Sequence, residues 1–401
     1  MTHSSDMASL LGDHDMVVCV GSGGVGKTTV AAALALGAAK RGQRALVMTI
    51  DPARRLADAL GIEELGNEPL EIPVATGTSA DCQGPGRLHA MMLDTKQTFD
   101  DMVERFSESA EAKSRILENP IYQHLSTALA GSAEYAAMEK VFELHESGRF
   151  DVIVVDTPPS QHALDFLDTP RRLAGFLESR IAQLLLRPAL GVGGFGLRVF
   201  ARGSQRFLGL LESVSGVTFL EDLSEFLVVF ESMATGFLAR AEQVEDLLLG
   251  TQTGFLLVSG PGVQVVNHTE GLLEQLDAAR VPVLGLALNR VRTWPNGGSP
   301  PRALLEPGSL EEENALLARA LGSDGERAGK AAIAMARGYA SQVIQDERNT
   351  APLRAEAERR GLFVRCVPEF EQDVHDLLEL ERLRAYLFEE ERQQPSSPGR
   401  A

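Results

Sequence analysis

At 401 residues the chain is too long for one small core and long enough for a large α/β domain with insertions. Hydrophobic residues make up 44% and charged residues 23%, the balance of a folded globular chain, which excludes a largely disordered or fibrous protein. Acids outnumber bases 56 to 38, a formal charge of −18, so most of the surface repels phosphate backbones and anionic lipid and nucleic acid is not the expected partner.

From the amino terminus, Met1 to Asp15 carries His3, Asp6, Asp13 and Asp15 and lacks the basic-then-apolar order of a secretory signal. Short apolar runs then recur: Met16–Gly21, Arg44–Ile50, Leu88–Leu93, Phe150–Asp156, Gly254–Ser259, Val281–Leu288 and Leu362–Val367. Near-continuous apolar strands with helices between them predict a doubly wound, mostly parallel sheet covered on both faces. The first connecting helix, Thr28 to Lys40, is Ala/Leu-rich and closes at Arg41-Gly42.

Two regions interrupt this rhythm. Thr95 to Ser147 reads as two or three helices broken near Asn119-Pro120. Ser160 to Gly250 reads as a longer helical insertion with a glycine-rich elbow, Gly191 to Gly196. Within it Phe176, Leu177, Ile181, Leu184 and Leu185 form one apolar stripe in Ala174–Leu186. Phe219, Leu223, Phe226, Leu227, Phe230, Met233 and Phe237 form a second. Such stripes are either core faces or surfaces for a hydrophobic client. The expected division is an α/β core at 13–169 and 251–390, helical insertions at 97–148 and 170–250, and a frayed polar tail at 391–401. No apolar run is long enough to cross a bilayer, since Ile181 to Phe200 is broken by Arg187, Pro188 and Arg198; the expected location is cytoplasmic, without stable membrane insertion.

The chemistry concentrates at strand ends. Gly21-Ser22-Gly23-Gly24-Val25-Gly26-Lys27-Thr28-Thr29 follows the first strand and opens a helix. Glycines let successive backbone N–H groups turn around an oligophosphate, Lys27 can reach its terminal oxygens, and the Thr28 hydroxyl can ligate Mg²⁺, so the loop predicts a site for ATP and Mg²⁺. Asp51, before Pro52, ends a strand expected beside the first; it can cap a helix, orient an attacking water, or do both. Asp156 ends the buried run Val152–Val155, where a carboxylate needs a metal shell or hydrogen bonds, although an Asp capping a turn is the plainer alternative. His162 reads as structural. Cys19, Cys82 and Cys366 are too few and scattered for a disulfide framework or zinc knuckle.

Taken together, the glycine loop, Asp51-Pro52-Ala53 and Asp156-Thr157-Pro158-Pro159 resemble the deviant-Walker-A ATPases, within them the arsenical pump-driving and guided-entry ATPases, the latter targeting tail-anchored membrane proteins. Leu88–Asp94 resembles that family's third strand, and Pro368 through His375 its loop over the adenine. The resemblance implies that Gly23, Gly24, Val25, Gly26, Lys27, Thr28 and Thr29 hold phosphates and Mg²⁺, that Asp51 is the catalytic carboxylate beside Lys27, that Asp156 joins Thr28 at the metal, and that Asn289 and Pro368 meet the base. It also implies a dimer, with itself or a related ATPase subunit, that closes on ATP and drives a helical region handling a hydrophobic membrane-protein segment.

Three departures stand out. Ser22 occupies the place of a family lysine that reaches across the dimer, so either Arg54 or Arg55 replaces that cation or a related subunit supplies it, the mixed dimer being the reading favoured from sequence. No Cys-x-x-Cys follows Asn289, and Gly260-Pro261-Gly262 stands where guided-entry members carry an acidic contact. The alternatives are a partitioning or positioning ATPase, which the acidic carboxyl-terminal helix from Asp373 to Arg392 disfavours, and a regulatory ATP-binding subunit. An arsenite pump, which needs clustered thiolates, is least favoured.

Overall fold

The computed structural model describes residues 7–74, 86–158, 239–306 and 315–389, apart from positions 108, 121, 124–125, 127–131, 241, 296–297, 317–318 and 321–324. Both apolar stripes, the elbow at 191–196, Cys82, His162 and the tail from 391 lie outside the described residues.

Among the described residues eight strands form one sheet. In chain order they are β1 (Met16–Gly21), β2 (Arg44–Thr49), β3 (Leu70–Ile72), β4 (Arg87–Met92), β5 (Val152–Asp156), β6 (Thr253–Ser259), β7 (Val283–Val291) and β8 (Phe363–Pro368). The spatial order is β3-β4-β2-β5-β1-β6-β7-β8, and every pairing is parallel except β3 with β4. The helices used below are α1 (Met7–Asp13), α2 (Lys27–Lys40), α3 (Arg55–Leu60), α4 (Thr95–Phe106), α5 (Ala110–Leu117), α6 (Ser132–Glu146), α7 (Val263–Ala278), α8 (Gly325–Arg359) and α9 (Leu377–Leu387).

Strand alternation sorts the core into two layers. Val17 and Cys19 of β1 face α1, α2, α3 and α9, whereas Met16, Val18 and Val20 face α6, α7 and the carboxyl-terminal part of α8. Helix α2 is Ala-rich because it is sandwiched between the sheet and α9, with buried residues on nearly every side. At Asp94 the chain leaves β4, and the carboxylate accepts from the Gln97 N–H to cap α4. Helix α6 lies against the sheet, its Ala137, Val141 and Leu144 belonging to the same core layer as β1, and α4 packs on α6.

Two expectations are corrected. The strand ending at Asp51 is not beside the first: β5 lies between β1 and β2, because α2 spans both β5 and β2 before the chain re-enters the sheet. Strand β3 went unread because three residues, one of them Glu71, are too few to show a period. After β5 the next strand, β6, joins the opposite side of β1. The order therefore reverses at β1, and such a switch opens a crevice at the carboxyl ends of the strands.

Gly285 of β7 lies opposite Phe363 of β8, and a Cβ there would come within 2.3 to 2.5 Å of the ring, which is itself buried. Strand preference alone favours Val over Gly by up to about 1 kcal/mol. The clash should win: Gly285→Val is expected to lower stability by about 1–3 kcal/mol, read by denaturant unfolding of the purified chain.

Candidate nucleotide site

The loop between β1 and α2 is shaped by two left-handed glycines, Gly24 at φ 77° and Gly26 at φ 89°. A Cβ on Gly26 would also sit 2.3 Å from Asn289 Nδ2, so the residue is excluded from larger types twice over. Gly26 caps α2 with no side-chain hydrogen bond, which leaves the first-turn N–H groups to face a ligand. Lys27 is buried, and its Nζ donates to the carbonyls of Gly21 at 2.9 Å and Ser22 at 3.0 Å. Burial pushes the Lys27 pKa below its usual range; the carboxylates of Asp156 and Asp51 oppose the shift and Arg55 adds to it.

Beneath the loop, Asp156 is 1% exposed at the end of β5. Its Oδ2 accepts from the Thr28 hydroxyl at 2.7 Å and from the Thr49 hydroxyl of β2 at 2.8 Å. Its Oδ1 is buried without a hydrogen-bond partner among the described residues. Burial raises the Asp156 pKa, and the two threonine hydrogen bonds and the Lys27 charge only partly offset this. A carboxylate with an orphaned buried oxygen, beside a threonine hydroxyl at a phosphate loop, fits the oxygen-rich shell that Mg²⁺ prefers.

Asp51 follows β2 but does not cap α3, which begins at Arg55. Its Oδ1 accepts from the Ala53 N–H at 3.0 Å in a local turn, and its Oδ2 accepts from Arg55 Nη1 at 3.2 Å. Arg54 turns away and donates to the Glu63 carbonyl. The hydroxyl of Ser22 and Nδ1 of His268 are hydrogen-bonded at 2.6 Å.

One cleft of about 450 Å³ gathers Gly24, Gly26, Lys27, Thr28, Thr29, Asp51, Asn289 and Pro368. Gly23 and Val25 shape the loop without lining the cleft, and Asp156 lies below it, reached through Thr28. Asn289 is buried, and its Nδ2 donates to the Val25 carbonyl at 2.8 Å, so it props the loop as well as lining the cleft. Arg290 also lines it, although the sequence reading gave it no role, as do Phe370, Gln372 and Asp373 of the segment Pro368 through His375. Arg290 has a left-handed backbone, φ 59°, and its guanidinium bridges the Gly24 carbonyl at 3.4 Å and the Asp373 carboxylate at 3.1 Å. A non-glycine residue in that conformation has no sequence signature.

The family model for anion-transporting ATPases matches residues 14–295. An ATPase GET3 of Malassezia globosa is 32% identical over 154 residues, 38% of this chain and 42% of that relative. An ATPase get3 of Schizosaccharomyces pombe is 26% identical over 284 residues, covering 70% of this chain and 74% of the relative. A Paramecium tetraurelia protein named ATPase ASNA1 homolog 1 is 24% identical over 275 residues, 68% of this chain and 73% of the relative. The match to the first of these spans less than half of that relative's length.

Because burial holds the Asp156 pKa above its unfolded value, the group subtracts stability at neutral pH, and the penalty shrinks as pH falls through the folded value and is gone below the unfolded one. Asp156→Asn keeps an oxygen acceptor for both threonines and removes the charge. The nucleotide-free, metal-free variant should melt about 2 °C or more above the parent at pH 7. The gap should close as pH is lowered into the acid range, measured by calorimetry.

Proposed function

The chain belongs to the anion-transporting ATPase family, and from that footing we propose that it hydrolyses ATP with Mg²⁺ and uses the cycle as a conformational switch. The observation that carries this reading is the Thr28–Asp156–Thr49 connection directly under a glycine loop that contains Lys27. Thr28 would hold the Mg²⁺ ion and Asp156 its shell, and the ion would neutralise charge developing on the phosphate oxygens. The N–H groups at the start of α2 and the Lys27 ammonium bind and orient the phosphates. Lys27 exchanges the loop carbonyls of Gly21 and Ser22 for phosphate oxygens. Asp51 orients the water whose oxygen bonds to the γ-phosphorus as the bond to the bridging oxygen breaks, leaving ADP and phosphate. Asn289 and Pro368 border the end of the cleft that takes the base.

In this reading the working unit is a dimer, with a second copy or a related ATPase subunit. The apolar stripes at 174–186 and 219–237 handle a hydrophobic client such as a membrane-protein segment. The resemblance to the guided-entry ATPases motivates such a client class, and among the described residues no helix is long and apolar enough to cross a membrane. A regulatory subunit that binds ATP without turnover is the second reading. It is favoured by one observation: the loop position of Ser22 offers a hydroxyl engaged with His268 and not a free cation.

Two substitutions test the chemistry. Lys27→Ala should abolish binding of Mg-ATP in a titration. Asp51→Asn should keep ATP bound while turnover falls by about 10²–10³, the usual effect of losing one preorganised polar group. Hydrolysis by Asp51→Asn at the parental rate would make Asp51 a turn residue only.

A further inference from the structure

Among the described residues three lysine or arginine side chains line the cleft, Lys27, Arg55 and Arg290. Two of them donate to carbonyls of the glycine loop. Lys27 donates to the Gly21 and Ser22 carbonyls, and Arg290 ties the Gly24 carbonyl to Asp373 in the loop after β8. Arg55 is held differently. Its ion-pair partner is Oδ2 of Asp51, the carboxylate that faces the same cleft, at 3.2 Å. The Arg55 side chain is 62% exposed and that of Asp51 is 20% exposed. A pair with so exposed a guanidinium is weak and screened, so a better acceptor displaces it.

A triphosphate brings that acceptor. The terminal phosphate carries more charge than a carboxylate and presents oxygens in the bidentate spacing that a guanidinium fork matches. Arg55 is well placed for it, because it stands at the first position of α3 and is close enough to Lys27 to act on its charge. Arg54, its neighbour, points to the Glu63 carbonyl and does not line the cleft.

We propose that Arg55 is a cation kept in reserve on Asp51 for the terminal phosphate of a bound triphosphate, and that its transfer frees Asp51 Oδ2 to hold the attacking water. Arriving substrate thereby uncovers the carboxylate that uses it. A diphosphate lacks the group that draws Arg55 away and leaves the Arg55–Asp51 pair intact, so the pair also separates ATP from ADP. The proposal rests on the reading that this cleft hydrolyses ATP.

The experiment compares the full chain with Arg55→Ala, Arg55→Lys, Asp51→Asn and the double variant, titrating each with Mg-ATP and Mg-ADP and measuring turnover. In Arg55→Ala, ATP affinity should fall about tenfold or more, the worth of a charge-assisted hydrogen bond, while ADP affinity stays within about twofold. Turnover should fall by about 10²-fold, and Arg55→Lys should recover part of both losses. Asp51→Asn should bind ATP more tightly than the parent, because Arg55 then has no carboxylate to leave, and the double variant should lose that gain. An unchanged ATP-to-ADP ratio and turnover in Arg55→Ala, in a parent that binds and hydrolyses ATP, overturns the reserve-cation role alone. A parent that binds no ATP overturns the hydrolytic reading with it. Thermal melting within a few degrees of the parent, expected for so exposed a side chain, shows that the losses are not unfolding.

Discussion

The buried carboxylate of Asp156 is the constraint from which the rest of the site follows. It closes β5, takes a hydrogen bond from Thr28 at the start of α2 and another from Thr49 at the end of β2. Three elements that are distant in sequence are thereby fixed relative to one oxygen. The arrangement is costly for the folded chain, since desolvation outweighs the two hydrogen bonds and the nearby Lys27. A fold that keeps such a group needs it for something other than stability, and the unsatisfied Oδ1 shows on which side the unmet demand lies.

The sheet order turns that anchor into a cleft. With β5 on one side of β1 and β6 on the other, the glycine loop opens between carboxyl ends that diverge. The wall on one side is Asp51 and α3. On the other side stand Asn289, Arg290 and the segment after β8. Asn289 is a structural part of the loop as much as of the wall, because its amide holds the Val25 carbonyl and its side chain fills the space that Gly26 leaves. A change in either wall therefore acts on the loop directly.

The parallel strands were legible because their apolar runs are unbroken and end in chemistry: Gly21 before the loop, Asp156 after Val152–Val155, Asn289 within β7. The family was legible for the same reason, since the loop motif and both aspartates are local signals. What was not legible depended on tertiary placement. Nothing in Asp51-Pro52 says that the helix waits until Arg55, because the Ala53 N–H is satisfied by Asp51 in a turn and not by a helix cap. Nor could the sequence decide between Arg54 and Arg55, adjacent and chemically identical. One turns to Glu63 and the other to Asp51, a choice made by the first turn of α3. The position of β5 between β1 and β2 was hidden because the run lengths give strands but not their neighbours.

Helix α2 has a mechanical consequence. Its amino end is the phosphate loop, and about 20 Å away, at a rise of 1.5 Å per residue, its other end is bound to the chain's last described helix. Gly37 is pressed against the Phe388 ring, Arg41 lies 4.2 Å above that ring, and Lys40 pairs with Glu381 at 2.8 Å. With buried alanines on nearly every side, α2 has no slack in which to bend or shift alone. It is a rigid link between the glycine loop and α9, which packs in the core layer on the opposite face of the sheet from α6.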